Sequence, residues 1–431
     1  MAPGAVDTPA SPRPTDRGYA AALDAADPLA ALVEESVVTD PDLLYFDGNS
    51  LGRLPRRTRR RLLEVVDDEW AGGLVGSWET WIDLPRRVGD ALAEHLLGAR
   101  PGEVVVGDST TVDLYKAASA AIAWAAPSGA RAVVTDDDNF PTDRYVLEGL
   151  AAQHGLDYRE VPSHPVDGPD PDRLAAGLDG AAVLCLSHVA YRSGAVADMV
   201  RLTRLAHDHG ALALWDLSHS VGSVPVDLTG SGADLAVGCT YKYVNGGPGA
   251  PAFTYVRREL QGGLRQPIWG WFGQRDQFAM GRGYDPEAGI AAWLTGTPTV
   301  LALVGVEEGL ALLAEAGIDR LRAKGMAMTS LIVDLADAWL TPLGFTLASP
   351  RPADRRGSHV ALAHPDAGRI SQALIELARV VPDFRAPDRL RLGPAPIATR
   401  FVDVWDALDR MRRLVETGAH HRVDFPARRV N

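Results

Sequence analysis

The chain has 431 residues, 46% of them hydrophobic, and carries a formal net charge of −13 at pH 7. This length allows two or more globular domains, and the acidic balance argues against nucleic acid or an anionic membrane as a partner. No apolar segment of the kind that marks a secretory signal occurs near the start, and residues 1–17 are predicted to form a disordered tail. Cys185 and Cys239 both fall in predicted buried strands, which indicates a reducing compartment and a cytoplasmic protein without disulfides.

The first part of the chain is predicted to form an N-terminal arm. A helical period over residues 19–36 is interrupted at Pro28, a short strand is predicted at 43–46, and a turn-rich loop follows at 47–52. A further helix is predicted to begin at Pro55, because proline is favoured at the first position of a helix.

Three tryptophans lie at the end of this helix and shortly after it, at Trp70, Trp78 and Trp81. They are expected either to pack in a core or an interface, or to form the wall of a site for an aromatic ligand. Both alternatives stay open from the sequence.

Between residues 103 and 256, apolar strand-like runs alternate with helical periods. The predicted strands are 103–107, 131–135, 156–161, 181–186, 211–215, 235–239 and 250–256. The predicted helices are 111–125, 143–154 and 198–210. This alternation predicts an α/β fold with an open, mainly parallel seven-stranded sheet and helices on both faces. Ligands of such sheets bind at the carboxyl ends of the strands.

One lysine and one aspartate stand where two of these strands are predicted to end. Lys242 lies between two predicted buried strands, beside a glycine-rich turn at 246–249. Because a buried ammonium is costly, such a lysine has either a lowered pKa or a covalent role such as a Schiff base. Asp216 ends the preceding strand, and this pairing is typical of pyridoxal phosphate (PLP) enzymes, in which the aspartate keeps the pyridine nitrogen protonated. A solvated loop lysine is the alternative.

Three further loops are predicted at the same edge of the sheet. The loop at 107–111 leads into a helix, and its hydroxyl groups are expected either to bind a phosphate or to cap the helix. In the loop at 139–143, Phe140 is placed to stack on a flat ring. The third loop is 187–194.

Beyond residue 300 the pattern changes to long helices and short strands. The predicted helices are 300–316, 318–339, 368–380 and 402–416, and the predicted strands are 344–347, 359–363 and 390–392. The charge-free run at 288–306 contains a Gly/Thr/Pro break, so it is predicted to be a loop leading into a buried helix rather than a membrane span. The predicted domains are a tail and arm (1–60), a large domain (61–310) and a small C-terminal α/β domain (311–431).

Seven short motifs together resemble those of the kynureninase family, which are PLP-dependent hydrolases with the aspartate aminotransferase fold, also called fold type I. The motifs follow the order of the family at 45–52, 140–143, 216–219, 241–245, 270–273, 356–359 and 391–394. The resemblance covers nearly the whole chain, from about residue 45 to 401.

The resemblance implies a role for each matching residue. The cofactor aldehyde would be carried by Lys242, and the pyridine nitrogen would be held by Asp216. The ring would be held by Phe140, Asp143 and His219. The phosphate would be surrounded by Thr110, Thr111, Ser187, Tyr241 and Trp271, with Thr297 from the partner subunit. The substrate would be bound by Arg391, Trp78 and Ser50.

Some of these assignments have alternatives. His219 could be a satisfied core histidine, and Arg391 could belong to a surface ion pair rather than bind a carboxylate. Tyr241 as a proton relay is a hypothesis, and Arg356 is expected to support a loop.

The reaction implied by the resemblance is hydrolytic cleavage of the Cβ–Cγ bond of L-kynurenine to anthranilate and L-alanine. It would serve tryptophan catabolism, as a step of the kynurenine pathway and of NAD biosynthesis, or supply anthranilate, in a homodimer with shared active sites. Animal members of the family have histidine and asparagine at two positions facing the substrate ring, where this chain has Trp78 and Thr297. This difference favours kynurenine over 3-hydroxykynurenine, because polar partners for the extra hydroxyl are missing. The alternatives are a cysteine desulfurase-like lyase, an aminotransferase and a non-catalytic PLP-binding module.

Overall fold

A computed structural model of the chain describes residues 13–425. Its β-strands are β1 (Leu44–Tyr45), β2 (Val104–Val106), β3 (Ala132–Asp136), β4 (Asp157–Val161), β5 (Ala181–Ser187), β6 (Leu212–Asp216), β7 (Leu235–Gly238), β8 (Phe253–Val256), β9 (Thr346–Leu347), β10 (Val360–Ala363), β11 (Val380–Val381), β12 (Asp383–Arg385) and β13 (Arg389–Leu392). Its α-helices are α1 (Arg17–Ala25), α2 (Ala30–Val33), α3 (Arg56–Glu64), α4 (Trp78–Trp81), α5 (Leu84–Leu92), α6 (Thr110–Ala125), α7 (Pro141–His154), α8 (Pro171–Gly177), α9 (Met199–Asp208), α10 (Leu228–Ser231), α11 (Arg258–Gln261), α12 (Val300–Ala316), α13 (Ile318–Leu335), α14 (Ala367–Ala378) and α15 (Phe401–Glu416).

The central sheet has seven strands in the order β2-β8-β7-β6-β5-β3-β4. Strand β8 is antiparallel to both of its neighbours, and the strands from β7 to β4 pair in parallel. Strands β3 and β7 are buried along their whole length, and β5 is buried except at its last residue. Strands covered on both faces have no solvent side for polar residues, which explains their continuous apolar runs. The predicted α/β fold with a mainly parallel sheet is confirmed.

Helices cover both faces of this sheet. Alternate residues of β2 point to opposite sides, with Val105 in the cluster of α6 and Val104 and Val106 in the cluster of α5, α9 and α12. On α6 the buried residues are largely alanines, such as Ala117 and Ala121. Their small side chains let the helix backbone lie close to the sheet.

The C-terminal part forms a second sheet with the antiparallel order β12-β13-β10-β9. Its own hydrophobic cluster includes residues of α13, α14 and α15 together with Leu44 and Phe46 of the arm. The predicted helix 368–380 is too long, because α14 ends at Ala378 and Arg379 takes a left-handed conformation with φ of 53°. The next residues form β11, which pairs in parallel with β1. The two clusters indicate a large and a small unit, but Leu312 and Leu313 of α12 belong to the first cluster, and the exact domain boundaries stay a prediction.

The start of the described chain packs against the C-terminal part. Residues 1–12 of the predicted tail lie outside the described residues, but Arg17 begins α1, so the prediction of a tail up to this residue is wrong. The guanidinium of Arg17 donates to both carboxylate oxygens of Asp406 on α15, at 2.7 and 2.8 Å. A buried ion pair between Lys324 on α13 and Asp27, at 2.7 Å, ties down the same arm.

The charge-free run at 288–306 is not a single helix. It contains a 3₁₀ turn at Gly289–Trp293, a loop, and the beginning of α12 at Val300, as predicted. Across residues 13–425, no helix combines the length and the apolar character that crossing a membrane requires.

Helix α12 approaches the backbone around Lys242 through two glycines. A Cβ atom on Gly309 would lie 2.1 Å from the carbonyl oxygen of Val244, and one on Gly305 would lie 2.5 Å from that of Gly246. The absence of side chains at these two positions therefore sets how closely the lysine-bearing connection lies against the helix.

Replacing Gly309 by alanine should destabilise the protein, because the added methyl group meets backbone that cannot move freely. We expect the free energy of unfolding to fall by about 1–3 kcal/mol, the usual cost of overpacking, as measured by urea denaturation. Gly149 on α7 is the control, since a Cβ atom there meets nothing within 4 Å. Gly149→Ala should stabilise by about 0.5–1 kcal/mol. Equal stability of the two variants would contradict the close approach.

Candidate active site

A cavity lies at the edge of the central sheet where β2, β3, β6 and β7 end. The loops that follow these four strands supply its lining, and the carboxyl ends of parallel strands are where ligands bind in such sheets. The lining residues are Ser109, Thr110, Thr111, Phe140, Thr142, Asp143, Asp216, Ser218, His219, Tyr241 and Lys242. The structure thus brings together most of the residues predicted for the cofactor. Ser109 belongs to the loop predicted to bind a phosphate or cap a helix, whereas Thr142 and Ser218 lie within predicted motifs but have no predicted role.

Lys242 lies on the connection between β7 and β8 and is 8% exposed. Its Nζ is 3.4 Å from Nε2 and 3.5 Å from Nδ1 of His219. The same atom lies 5.9 Å from the ring centres of Phe140 and of Tyr241. The alternative of a solvated loop lysine is wrong, because the ammonium faces a closed group of polar and aromatic side chains.

Two buried carboxyl groups, those of Asp143 and Asp216, line the same cavity. Burial raises the pKa of Asp143 well above its usual value, and the adjacent charge of Asp216 raises this pKa further. Two carboxyl groups in one buried site disfavour each other's ionisation, which is the physical cause of this shift in the pKa of Asp143. Asp216 also accepts a hydrogen bond from the backbone N–H of Ser218, at 2.8 Å, which fixes its direction.

His219 is a neutral imidazole in this setting. Its pKa is well below the usual value, chiefly through burial and then through the nearby charges of Lys242 and Arg391. A neutral ring can accept a hydrogen bond from an ammonium. Because its nitrogens face Lys242, the structure favours a place in the site over the alternative of a satisfied core histidine.

The sequence left open whether the hydroxyl groups of the loop before α6 cap the helix or bind a phosphate. In the structure, different residues are placed for the two functions. The hydroxyl of Ser109 caps the helix by accepting from the N–H of Val112, at 3.4 Å. Thr110 and Thr111 occupy the first turn and line the cavity. A helix N-terminus with exposed hydroxyl and N–H groups attracts an anion.

A buried network of charged side chains holds this loop against α6. The sequence analysis did not predict this network. The Nζ of Lys116 on α6 is 2.8 Å from Asp108, 2.7 Å from Asp113 and 2.9 Å from the carbonyl of Trp293. Asp108 also accepts from the hydroxyl of Thr295, at 2.9 Å. The only signal in the sequence was an aspartate and a lysine three residues apart on an otherwise alanine-rich helix.

Several predicted site residues lie outside the cavity in one chain. The hydroxyl of Ser187 donates to Oδ1 of Asn139, at 2.7 Å, and the same oxygen accepts from the N–H of Phe140. Ser187 thus supports the Phe140 loop. Trp271 is 41% exposed and packs edge-on against Phe272.

Trp78 and Thr297 lie together in a second, apolar concave surface, which we call the tryptophan groove. Its lining residues are Val65, Trp70, Trp78, Trp81, Thr297, Pro298, Thr299, Val300, Leu301 and Ala302. The rings of Trp78 and Trp81 meet edge to face at 5.6 Å. Trp70 is 57% exposed, although large aromatic side chains are usually covered.

The loop that carries Ser50 is hydrogen bonded both to the segment of Lys242 and to the segment that follows β13. The N–H of Gly52 donates to the carbonyl of Tyr241, at 2.8 Å, and the N–H of Gly48 donates to that of Gly393, at 3.1 Å. Ser50 therefore lies between the two segments that carry Lys242 and Arg391, although it does not line the cavity.

Arg391 on β13 is 1% exposed, so the alternative of a surface ion pair is wrong. Its guanidinium donates to the carboxylate of Asp383 and to the carbonyl of Tyr191. Asp383 lies on β12, a strand that was not predicted, and no local pattern pointed to it. A substrate carboxylate would compete with Asp383 for this guanidinium.

The motif at 356–359 serves two purposes. Arg356 is fully buried and donates to the carbonyls of Pro350 and Arg351, at 2.6 and 2.9 Å, which confirms that it supports a loop. His359 is also fully buried, with its ring 5.8 Å from that of His219. Burial lowers the pKa of His359 well below its usual value, and the charges of Arg391 and Lys242 lower it further.

Comparison with known proteins identifies the family. Residues 321–411 match the model of the kynureninase C-terminal domain. A protein of Pseudomonas fluorescens named kynureninase is 42% identical over 421 residues, which cover 96% of this chain and 99% of the relative. The chain belongs to the kynureninase family.

Solved structures place this kynureninase family member in fold type I of the PLP enzymes. The cysteine desulfurase of Thermococcus onnurineus NA1 superimposes with a TM-score of 0.77 at 17% identity, covering 89% of this chain and 98% of that one. A mutant of C-DES with glycine linked covalently to its PLP cofactor superimposes with a TM-score of 0.72 at 18% identity, covering 90% and 97%. At these identities the similarity concerns the fold.

Replacing Lys116 by methionine should destabilise the protein more at pH 8 than at pH 5.5. Burial raises the pKa of Asp113 to about 7 even beside Lys116. Without the ammonium this pKa should rise further above that of the unfolded chain, so the folded variant must keep Asp113 protonated. The free-energy cost of holding this proton grows as the pH rises above the pKa of an exposed aspartate. We expect a loss of about 3–5 kcal/mol at pH 8 in urea unfolding, the usual cost of breaking a buried pair.

The double variant Lys116→Met/Asp113→Asn is the matched control. It lacks the Asp113 carboxylate and should recover much of the stability lost at pH 8. A loss that is equal at both pH values, or no recovery in the double variant, would contradict the network.

Proposed function

We propose that this protein is a PLP-dependent hydrolase that cleaves the Cβ–Cγ bond of L-kynurenine, with water, to anthranilate and L-alanine. The observation that carries the proposal is the convergence of Lys242, Asp216 and Phe140 in one buried cavity beside the first turn of α6. Membership of the kynureninase family supports the choice of reaction.

The residues of the cavity fit PLP. Lys242 offers an amine for the aldehyde, Phe140 an aromatic face for the ring, Asp216 a carboxylate for the pyridine nitrogen, and Thr110 and Thr111 hydroxyls for the phosphate. Among the described residues, Oδ2 of Asp143 is buried without a hydrogen-bond partner. A polar ligand would satisfy this atom. When bound, PLP supplies an electron sink for the carbanions of the reaction.

The protein's own groups would then move and hold protons. The Nζ of Lys242 would take the proton from the α-carbon of the substrate, with the neutral ring of His219 within reach to orient it. The pKa of the Tyr241 hydroxyl is raised, chiefly by burial. The phenol therefore stays protonated at neutral pH, which suits a proton donor near the substrate carbonyl.

Four further residues would contact the phosphate or the substrate, or support residues that do. Tyr241 would join the two threonines at the phosphate, and Ser187 would act through the Phe140 loop. Arg391 would bind the substrate carboxylate, as a guanidinium is suited to do, with Ser50 nearby.

We further propose that the active enzyme is a homodimer in which the tryptophan groove faces the cavity of the partner. Trp78 and Thr297 lie outside the cavity of their own chain, and the groove exposes an apolar surface suited to an aryl ring. Trp271 would reach the phosphate in the same way. Since neither Trp78 nor Thr297 offers a charged partner for a ring hydroxyl, kynurenine should be preferred over 3-hydroxykynurenine.

The cysteines weigh against a desulfurase-like activity, in spite of the shared fold. Cys185 and Cys239 are 0% and 1% exposed. Burial raises the pKa of the Cys185 thiol well above its usual value, with the nearby carboxylates adding to the effect. A reactive cysteine needs access and a low pKa. Two buried free thiols also fit the proposed cytoplasmic location. The proposed reaction would serve tryptophan catabolism.

The direct test of the reaction is incubation with L-kynurenine while anthranilate and L-alanine are followed. Wild-type protein with PLP should release both in equal amounts, whereas Lys242→Ala should lose activity by at least about 10³-fold, because covalent catalysis is removed. Borohydride should fix PLP to the wild type and not to the variant. Transfer of the amino group to a keto acid without anthranilate would favour an aminotransferase.

The shared site is tested by mixing two inactive variants, Lys242→Ala and Trp78→Ala. If Trp78 acts in the partner's cavity, each mixed dimer contains one site with both residues intact. Random mixing then gives about a quarter of the wild-type activity per chain, because half of the dimers are mixed and one of their two sites works. If Trp78 acts in its own chain, every site carries one substitution and mixing restores nothing.

A further inference from the structure

Three potential metal ligands meet on the C-terminal part of the chain. They are Asp366, which precedes α14, and His420 and His421, which lie on a 3₁₀ turn at Ala419–Arg422. One ligand atom of each residue lies within 4.8 Å of those of the other two. None of the three lines the cavity of Lys242.

Among these three residues, His420 gives the strongest indication that an ion binds here. It is 4% exposed, and its Nδ1 is buried without a hydrogen-bond partner among the described residues. A buried ring nitrogen without a partner is costly, and an ion would satisfy it.

The other two members complete a ligand set. Asp366 stands at the N-cap position of α14, yet its side chain does not cap the helix. His421 is exposed, and its ring centre is 4.0 Å from that of His420. A carboxylate and two imidazoles, open to solvent on one side, can accept an ion that keeps a water molecule as its remaining ligand.

We propose that Asp366, His420 and His421 form a Zn²⁺ site. Imidazole and carboxylate ligands suit this ion, and three protein ligands with a water give its usual tetrahedral coordination. The ion would join the turn after α15 to the start of α14. Other contacts hold the same turn, since the guanidinium of Arg369 donates to the carbonyl of Val423, at 3.0 Å.

The test uses the full-length, tag-free holoenzyme after treatment with EDTA and removal of the chelator. Calorimetric titration with ZnCl₂ should show one ion per chain with a dissociation constant of about 1 μM or below. Titration with CoCl₂ should give the visible absorption of a cobalt ion with nitrogen ligands, and Zn²⁺ should abolish it. Asp366→Asn and His421→Ala should each raise the dissociation constant for Zn²⁺ by at least about 10-fold, the scale of losing one ligand or its support.

Two controls separate this site from other ions bound by the protein. His154→Ala removes an exposed histidine at the end of α7 and should bind Zn²⁺ as the wild type does. The melting temperature should rise with Zn²⁺ in the wild type and in His154→Ala, and not in the two site variants, because only the folded site binds the ion. Wild-type binding no tighter than millimolar, or unchanged affinity in both site variants, would overturn the proposal.

Discussion

The burial of the Lys242 ammonium is the constraint around which the site is built. A charge removed from water requires partners, and here the neutral ring of His219 and two carboxyl groups supply them. Burial and the neighbouring Asp216 raise the pKa of Asp143, whereas the charge of Lys242 lowers it, so these groups influence one another's charge. This arrangement is ready for a ligand whose ring nitrogen needs a carboxylate on one side and whose aldehyde needs an amine on the other.

The fold places these groups by simple geometry. Parallel strands bring their carboxyl ends to one edge, so residues far apart in the chain, such as Thr111, Phe140 and Asp216, meet there without long loops. Rigid packing below the edge fixes the positions. Glycines of α12 let the Lys242 connection lie close to the helix, and the Lys116 network holds the loop before α6.

One chain offers two concave surfaces, and the proposed reaction would use both. The cavity is polar and suited to an amino acid and its cofactor, whereas the tryptophan groove is apolar and suited to an aryl group. Their separation within one chain is the observation behind the homodimer that we propose. Arg391 is already paired with Asp383, so a substrate carboxylate bound there, as we propose, would have to replace or share this partner.

The sequence by itself determined the order of the central strands along the chain and the position of Lys242 and Asp216 at their ends, because buried strands are continuous apolar runs and motifs are local. Only the tertiary structure decided that Ser187 supports the Phe140 loop, that Arg391 pairs with Asp383, and that Lys116 reaches Trp293. Sequence analysis missed β12 and overextended α14 for the same reason. These features depend on contacts between distant segments, which leave no periodic pattern in the residues that make them.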